Sequence, residues 1–321
     1  MKISIAMAAY NGADYIREQL NSFASQTQLP DEVIVCDDLS GDATLEVLEK
    51  FACTSPFKMV VVSNNKNLGY TRNFEKALSL CSGDLIFLSD QDDVWDENKI
   101  SKILAIKRKH PNIDLIINDA MYSDENLKSA GVTVLEKVLN FSGRKNDHIA
   151  GASTAITKEF RNFVLPFPEN NCPAHDVYLH RWANLLENKL VVQDVLQKWR
   201  IHGKNNSVSE MNDPIAVSNL KLYEKYRNVN SSSAYINKAS EFRKMDLVVI
   251  SRKEALTRLS PGVKIDRLRM KINKIIEANT SRSELSNANW FRRMPLIFLM
   301  IIKGQYKYFQ GLRSVAKDIF R

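Results

Sequence analysis

Leu85-Ile86-Phe87-Leu88-Ser89-Asp90-Gln91-Asp92-Asp93-Val94-Trp95 is the stretch on which the fold turns. Its first five residues carry no charge and read as a strand buried on both faces. Three carboxylates follow within four residues, and like charges so crowded repel unless a cation sits among them. Hard oxygen ligands at a strand end suit Mg²⁺ or Mn²⁺, with diphosphate oxygens completing the shell. The competing reading is a solvated, acidic helix N-terminus, where Asp is favoured.

Working outward, residues 3–8, 32–36, 58–63 and 115–118 also read as strands. Between them apolar residues recur at helical spacing: Ile16, Leu20, Phe23 and Ala24; Thr44, Val47, Leu48 and Phe51; Phe74, Ala77, Leu78 and Cys81; Ile100, Ile103 and Leu104. Strands alternating with helices at this pitch predict an α/β class fold, a mostly parallel, Rossmann-like doubly wound sheet flanked by helices. Such sheets bind ligands off the carboxyl ends of their strands. The residues placed there are Ala9-Tyr10-Asn11, Asp37-Asp38, Asn64 to Gly69, Asp90 to Asp93, and Asp119. Residues 120–210 are less regular.

No G-x-x-x-x-G-K-[ST] is present and no G-x-G-x-x-G follows the first strand, so neither a Walker loop nor a dinucleotide site is expected. The sheet is expected to handle a nucleotide through carboxylates and a metal instead. Asp38 can accept the N3–H of a uracil or thymine, with Asp42 capping the next helix. Tyr10 can lie against a base, and Asn11-Gly12 allows a tight turn.

These motifs resemble the family 2 glycosyltransferases of the GT-A fold, and among them the rhamnosyltransferase-like branch. Met7-Ala8-Ala9-Tyr10-Asn11-Gly12 is similar to the family's opening strand, Asp37 to Asp42 to its base-contacting motif, and Asn67-Leu68-Gly69 with Asn73-Phe74 to its donor-side loop. Ser89 to Trp95 resembles its D-x-D motif in the form D-Q-D-D-x-W. More loosely, Gly151-Ala152-Ser153 resembles the acceptor-side glycine segment, and His175-Asp176 ahead of Trp182 the catalytic-base motif. Trp199-Arg200-Ile201-His202-Gly203 with Asn205-Asn206 resembles an Arg-x-His-x-x-Asn motif near the donor diphosphate; the likeness fades after about residue 210.

The resemblance implies an inverting, metal-dependent sugar transfer with Asp176 as general base. It implies a donor site of Ala9, Tyr10, Asn11, Asp38, Asn67, Gly69, Asn73, Asp90 and Arg200. Asp92 and His202 would hold Mn²⁺ or Mg²⁺, and Trp95, Gly151, His175 and Trp182 would face the acceptor. Read as residue types alone, His175 and His180 are structural histidines, the two tryptophans are core, and Arg200 is equally a phosphate clamp or an ion-pair partner. The donor implied is dTDP-L-rhamnose, with UDP-hexoses as the alternative. The acceptor is a saccharide or lipid-linked saccharide of a bacterial surface polysaccharide such as O-antigen or capsule.

The 321 residues, 44% hydrophobic and 26% charged, suffice for a large core. Cys36, Cys53, Cys81 and Cys172 form no C-x-x-C pair, so neither disulfides nor a zinc site are expected. The chain reads as having no signal peptide, and the apolar run 296–302 falls short of the ~20 residues a spanning helix needs. A cytoplasmic protein is expected. Residues 1–210, the expected catalytic domain (nucleotide half 1–100, acceptor and base half 101–210), carry 23 Lys/Arg against 28 Asp/Glu, a net −5. Residues 211–321, expected to be helical, carry 22 against 9, a net +13. Tyr308, Leu312, Val315 and Ile319 form an apolar stripe among Lys303, Lys307, Arg313, Lys317 and Arg321, preceded by Trp290 to Arg293. This predicts either a basic amphipathic helix on the inner face of an anionic membrane or a helical bundle that packs on itself or on a second copy as a homodimer. A sugar-nucleotide pyrophosphorylase would want a Gly-rich, Lys/Arg-bearing loop after strand one, which Ala9 to Ala13 lacks. A basic nucleic-acid-binding protein is the alternative of another class, but nucleic acid is not the expected partner, because the basic segment has few aromatics in a single-strand stacking pattern and the acidic rim would repel phosphate without a metal.

Overall fold

The computed structural model describes residues 1–169, 172–203, 205 and 232–319. The chain divides into two compact units, Met1–Pro214 and Ile215–Arg321. The expected boundary at 210, Asn206 and Arg321 lie outside the described residues, as do residues 228–231 of the polar stretch 228–233 that reads as a loop or hinge; Ser232 and Ser233 begin a helix instead.

The first unit opens with β1 (Ile3–Ala9), α1 (Ile16–Ala24), β2 (Glu32–Asp37), α2 (Thr44–Ala52), β3 (Lys58–Ser63), α3 (Tyr70–Leu80) and β4 (Leu85–Ser89). It continues with β5 (Val94–Trp95), α4 (Lys99–Lys109), β6 (Leu115–Ser123), β7 (Ser129–Thr133), α5 (Val134–Ser142), β8 (Thr154–Thr157), α6 (Lys158–Val164), α7 (His175–Leu186) and β9 (Lys189–Arg200). All four expected helical patterns form helices, because each keeps one apolar face at a 3.6-residue period. Ile16, Leu20 and Phe23 of α1 are fully buried against Ile5, Met7, Val33, Val35 and Phe87 of the sheet. Each such side chain contributes about 1.5–3 kcal/mol by leaving water.

The sheet runs β3-β2-β1-β4-β8-β6-β9-β5, with β7 pairing β6. The β1–β2, β2–β3 and β1–β4 pairs are parallel. Beyond β4 the sheet is mixed: β8 lies antiparallel to both β4 and β6, β6 pairs β9 in parallel, and β5 meets β9 antiparallel. The fifth expected strand is longer than read, Leu115–Ser123 rather than 115–118, and β8 separates it from β4. Cys36 and Cys81 are buried, whereas Cys53, just past α2, is exposed; these three are free thiols.

The second unit is helical in its described residues: α8 (Ser232–Ser251), α9 (Lys253–Leu259), α10 (Ile265–Asn287), α11 (Trp290–Ile302) and α12 (Leu312–Ile319). Its core joins Tyr235, Ala278, Leu285, Ile297, Met300, Tyr306 and Phe309. A buried ion pair, Arg282 to Asp318 at 3.2 Å, lies within this unit, with the guanidinium 4.3 Å from the Phe309 ring centroid. Tyr308, Val315 and Ile319 pack against this core. The stripe, for which both a membrane surface and a packed bundle were expected, thus turns inward within this unit, apart from Leu312, which is exposed.

Candidate active site

The parallel strands β1, β2 and β4 deliver their carboxyl ends to one rim. There a cleft of about 580 Å³ is lined by Ala9, Tyr10, Asp38, Asn67, Gly69, Asn73, Asp90 and Asp92 from the strand ends and α3. Gly151, His175 and Asp176, together with Gln197, Trp199 and Asn205, also line it. The four carboxylates that the sequence motifs single out, Asp38, Asp90, Asp92 and Asp176, thus line one cavity.

The β1 and β2 ends are held by side chains that also line the cleft. Asp38 accepts hydrogen bonds from the Leu68 and Gly69 amides, each at 2.8 Å, and from Asn64 Nδ2 at 2.8 Å. A carboxylate has about four acceptor positions, and three of those of Asp38 fasten the 64–69 loop. Gly69 adopts φ +78°, a left-handed conformation that favours glycine. Asn73 Nδ2 donates to the Cys36 carbonyl at 2.7 Å and Asn73 Oδ1 accepts from Asn64 Nδ2, so its amide ties α3 to β2. Asn11 is a correction: it is absent from the cleft lining, and its Oδ1 accepts from the Gly41 amide at 2.8 Å, joining the first loop to the second.

The acidic loop divides its carboxylates by environment. Asp90 lines the cleft; burial, then the charges of Asp92 and Asp176, push its carboxyl up to about 7, with Lys99 opposing. Asp93 turns away and is 1% exposed, accepting from Gln197 Nε2 at 3.0 Å and from the Arg200 amide at 3.2 Å. Burial, then the charges of Asp92 and Asp90, hold the Asp93 carboxyl well above the usual range, with the Arg200 amide and Lys99 opposing. Gln91 spans the rim: its Oε1 accepts from the Tyr10 amide at 2.8 Å and its Nε2 donates to the Tyr10 carbonyl at 2.9 Å.

Arg200 is a second correction. Its guanidinium donates to the Asp92 carbonyl at 2.8 Å and the Glu125 carbonyl at 2.6 Å, pairs with Glu18, and lies 4.8 Å from the Tyr15 ring centroid. It braces the backbone of the acidic loop and does not line the cleft. The two tryptophans are the third. Trp95 is 4% exposed between Phe23 and Phe87, and Trp182 is fully buried against Phe163 and Tyr178. Both are core, and the cleft wall contains Trp199 instead, stacked on Tyr122.

Asp176 sits in the first turn of α7, its Oδ1 accepting from the Val177 amide at 2.7 Å. His175 stacks on Phe74 at 4.0 Å between centroids, and neither ring nitrogen has a hydrogen-bond partner among the described residues. Burial pushes the imidazole down to about 4, Asp176 opposing, so the ring is neutral at pH 7. Gly151 makes room for it: a Cβ at 151 would stand 2.5 Å from His175 Nε2. His180 is structural, bonded to Thr154 Oγ1 at 3.0 Å.

Sequence reasoning missed Lys99. Its ammonium is 1% exposed, donates to Gln197 Oε1 at 2.5 Å and the Ala152 carbonyl at 3.1 Å, and lies 3.8 Å from the Trp95 ring centroid. Burial holds this amine well below the usual lysine range, with Asp93 and Asp90 opposing, and no local pattern around position 99 announces it.

For a metal, Asp92 Oδ2 lies 3.0 Å from His202 Nε2 and 3.3 Å from Asn205 Nδ2. No group of three or more His, Cys, Asp or Glu converges among the described residues. One carboxylate and one imidazole fit a Mg²⁺ or Mn²⁺ that draws its remaining ligands from diphosphate and water.

Residues 4–162 match the family model for glycosyl transferase family 2. The dTDP-rhamnosyl transferase RfbG of Shigella flexneri is 30% identical over 193 residues, 55% of this chain and 62% of that protein. An uncharacterised protein of Mycobacterium tuberculosis is 38% identical over 111 residues, 34% of this chain; the chain therefore spans about a third to two thirds of these relatives' lengths. Among solved structures, S. aureus TarS 1–349 in complex with UDP superposes with a TM-score of 0.56 at 19% identity, covering 96% of this chain and 89% of that one. The mannosyltransferase PcManGT of Pyrobaculum calidifontis, in complex with GDP-Man and Mn²⁺, gives 0.54 at 14% identity, covering 99% and 85%. Sheet order, flanking helices and these likenesses agree on the GT-A fold, and residues 4–162, just under half of the chain, are similar to the family 2 glycosyltransferases.

Proposed function

We propose that this chain is an inverting, metal-dependent glycosyltransferase that moves a sugar from a nucleoside-diphosphate donor to a hydroxyl of a saccharide or lipid-linked saccharide. The observation that carries this is the meeting of Asp90 and Asp92 from the β4 end with Asp176 from α7 in one cleft of about 580 Å³. Asp176 takes the acceptor hydroxyl proton. The acceptor oxygen then bonds to the anomeric carbon as the bond from that carbon to the diphosphate oxygen breaks, its electron pair leaving with the nucleoside diphosphate. A single displacement needs one base and no covalent intermediate, and it inverts the anomeric centre.

Asp38, Ala9 and Tyr10 hold the base. Asp90 meets the ribose, where a carboxyl titrating near 7 can donate as well as accept. Asp92 and His202 would hold the divalent ion, which supplies charge stabilisation to the departing diphosphate. Arg200 acts behind them, fixing the carbonyl of Asp92.

The donor assigned is dTDP-L-rhamnose, supported by the name of the Shigella relative, in the assembly of a bacterial surface polysaccharide. A UDP-hexose is the second reading, favoured by the UDP in TarS. Release of dTDP or UDP from candidate donors with Mn²⁺, measured for wild type and Asp176→Asn, tests the assignment. Asp176→Asn should lower turnover about 10²–10⁴-fold with nucleotide affinity unchanged. A variant that turns over like wild type removes Asp176 from the mechanism.

A further inference from the structure

Helix α11 carries Arg292 and Arg293 in its first turn and is apolar all the way round after them. Positions 294 to 302 read Met-Pro-Leu-Ile-Phe-Leu-Met-Ile-Ile, without one polar side chain. A helix of that kind is normally buried on every side. Only one side of α11 is: Ile297 and Met300 join the core of the second unit. Phe291, Phe298, Leu299, Ile301 and Ile302 are 45–81% exposed. Phe291, Phe298, Leu299 and Ile302 recur at i, i+7, i+8 and i+11, so they form one continuous stripe. Trp290, 60% exposed, stands at its N-terminal end.

The charge around the stripe identifies what covers it. Between Glu284 and Asp318 the chain carries Arg292, Arg293, Lys303, Lys307, Arg313 and Lys317 and no acidic residue. A second copy would set one +13 segment against another, whereas an anionic surface is complementary to it. The 13 residues of α11 extend about 20 Å, short of the ~30 Å hydrocarbon core. No helix among the described residues is long and apolar enough to cross a membrane.

We propose that α11 lies in the plane of an anionic lipid surface. Its Phe291–Phe298–Ile302 stripe enters the acyl boundary, Trp290 sits at headgroup level, and the flanking Arg and Lys meet lipid phosphates. This surface is independent of the transfer chemistry and does not depend on the donor assignment.

The test is co-sedimentation of the full chain with phosphatidylglycerol-containing vesicles and with vesicles of phosphatidylcholine alone. The proteins compared are wild type and Phe291→Ser/Phe298→Ser/Ile302→Ser. Thermal melting confirms that the variant is folded, as the exposure of all three side chains leads one to expect. The account predicts wild-type binding to the anionic vesicles that weakens with salt, and a loss of about tenfold or more in the variant. Equal binding by wild type and variant overturns it. So does a wild-type protein that ignores both vesicle types and instead sediments as a dimer that the three serines dissociate. Wild-type protein that binds no vesicle and remains monomeric overturns it equally.

Discussion

Gly12 stands where the end of the Gln91 side chain passes: a Cβ there would lie 2.1 Å from Gln91 Oε1. Gln91 can swing aside, but only by giving up both hydrogen bonds to the Tyr10 backbone. Gly12→Ala should therefore cost about 1–3 kcal/mol in denaturant unfolding. Gln91→Ala should cost a similar amount, and the double variant little more than either. Additive losses would mean that the two residues do not share this contact. Position 91 is central to the motif read from sequence, yet its role was invisible there because its partner is 81 residues away. The same holds for the other corrections. Asp92 and Asp93 are chemically identical in the sequence, and only the β9 partners Gln197 and Arg200 turn the second one inward. Arg200 looks like a phosphate clamp until Glu18, Glu125 and the Asp92 carbonyl are seen to occupy its donors. Residue type was legible; the long-range contact that decides its use was not.

At the scale of elements, periodicity is local, so α1 to α4 and β1 to β4 could be read directly. The antiparallel β8 could not: Thr-Ala-Ile-Thr has four residues, and its place between β4 and β6 is set by pairing with strands about 40 to 70 positions earlier. Glu32, at the start of β2, joins three elements. It accepts from Ser4 Oγ of β1 at 2.6 Å and from the Ser82 amide and hydroxyl ahead of β4 at 2.6 and 2.7 Å. Burial alone would raise its carboxyl, but the Ser4 and Ser82 hydrogen bonds, with Lys2, outweigh it and bring it down to about 2. A carboxylate depressed from 4.5 to about 2 stabilises the fold fully above pH 4.5 and loses that contribution as pH falls toward 2. Glu32→Gln should cost about 1–3 kcal/mol at pH 7. Its stability should also fall less steeply than that of wild type between these pH values, as followed by urea unfolding. Parallel pH profiles would show that the fold does not depend on this ionised group.

At the scale of the whole chain, the change from −5 before residue 211 to +13 after it was legible in composition. It marks two units that differ in architecture as well as charge, a sheet flanked by helices and a helical assembly. Composition could not say which apolar stripe of the second unit stays outside. The stripe on α12 is the more cleanly amphipathic in sequence, yet Val315 and Ile319 pack inward while the apolar run 294–302 of α11 keeps one face exposed. The central claim concerns the first unit: a nucleoside diphosphate and a divalent ion meet at Asp92. Calorimetric titration of the full chain with dTDP and with UDP, each with and without Mn²⁺, on wild type and Asp92→Ala, tests it most directly. The account predicts metal-dependent binding of at least one nucleotide by wild type and its loss in Asp92→Ala. Failure of wild type to bind either nucleotide in the presence of Mn²⁺ would contradict it.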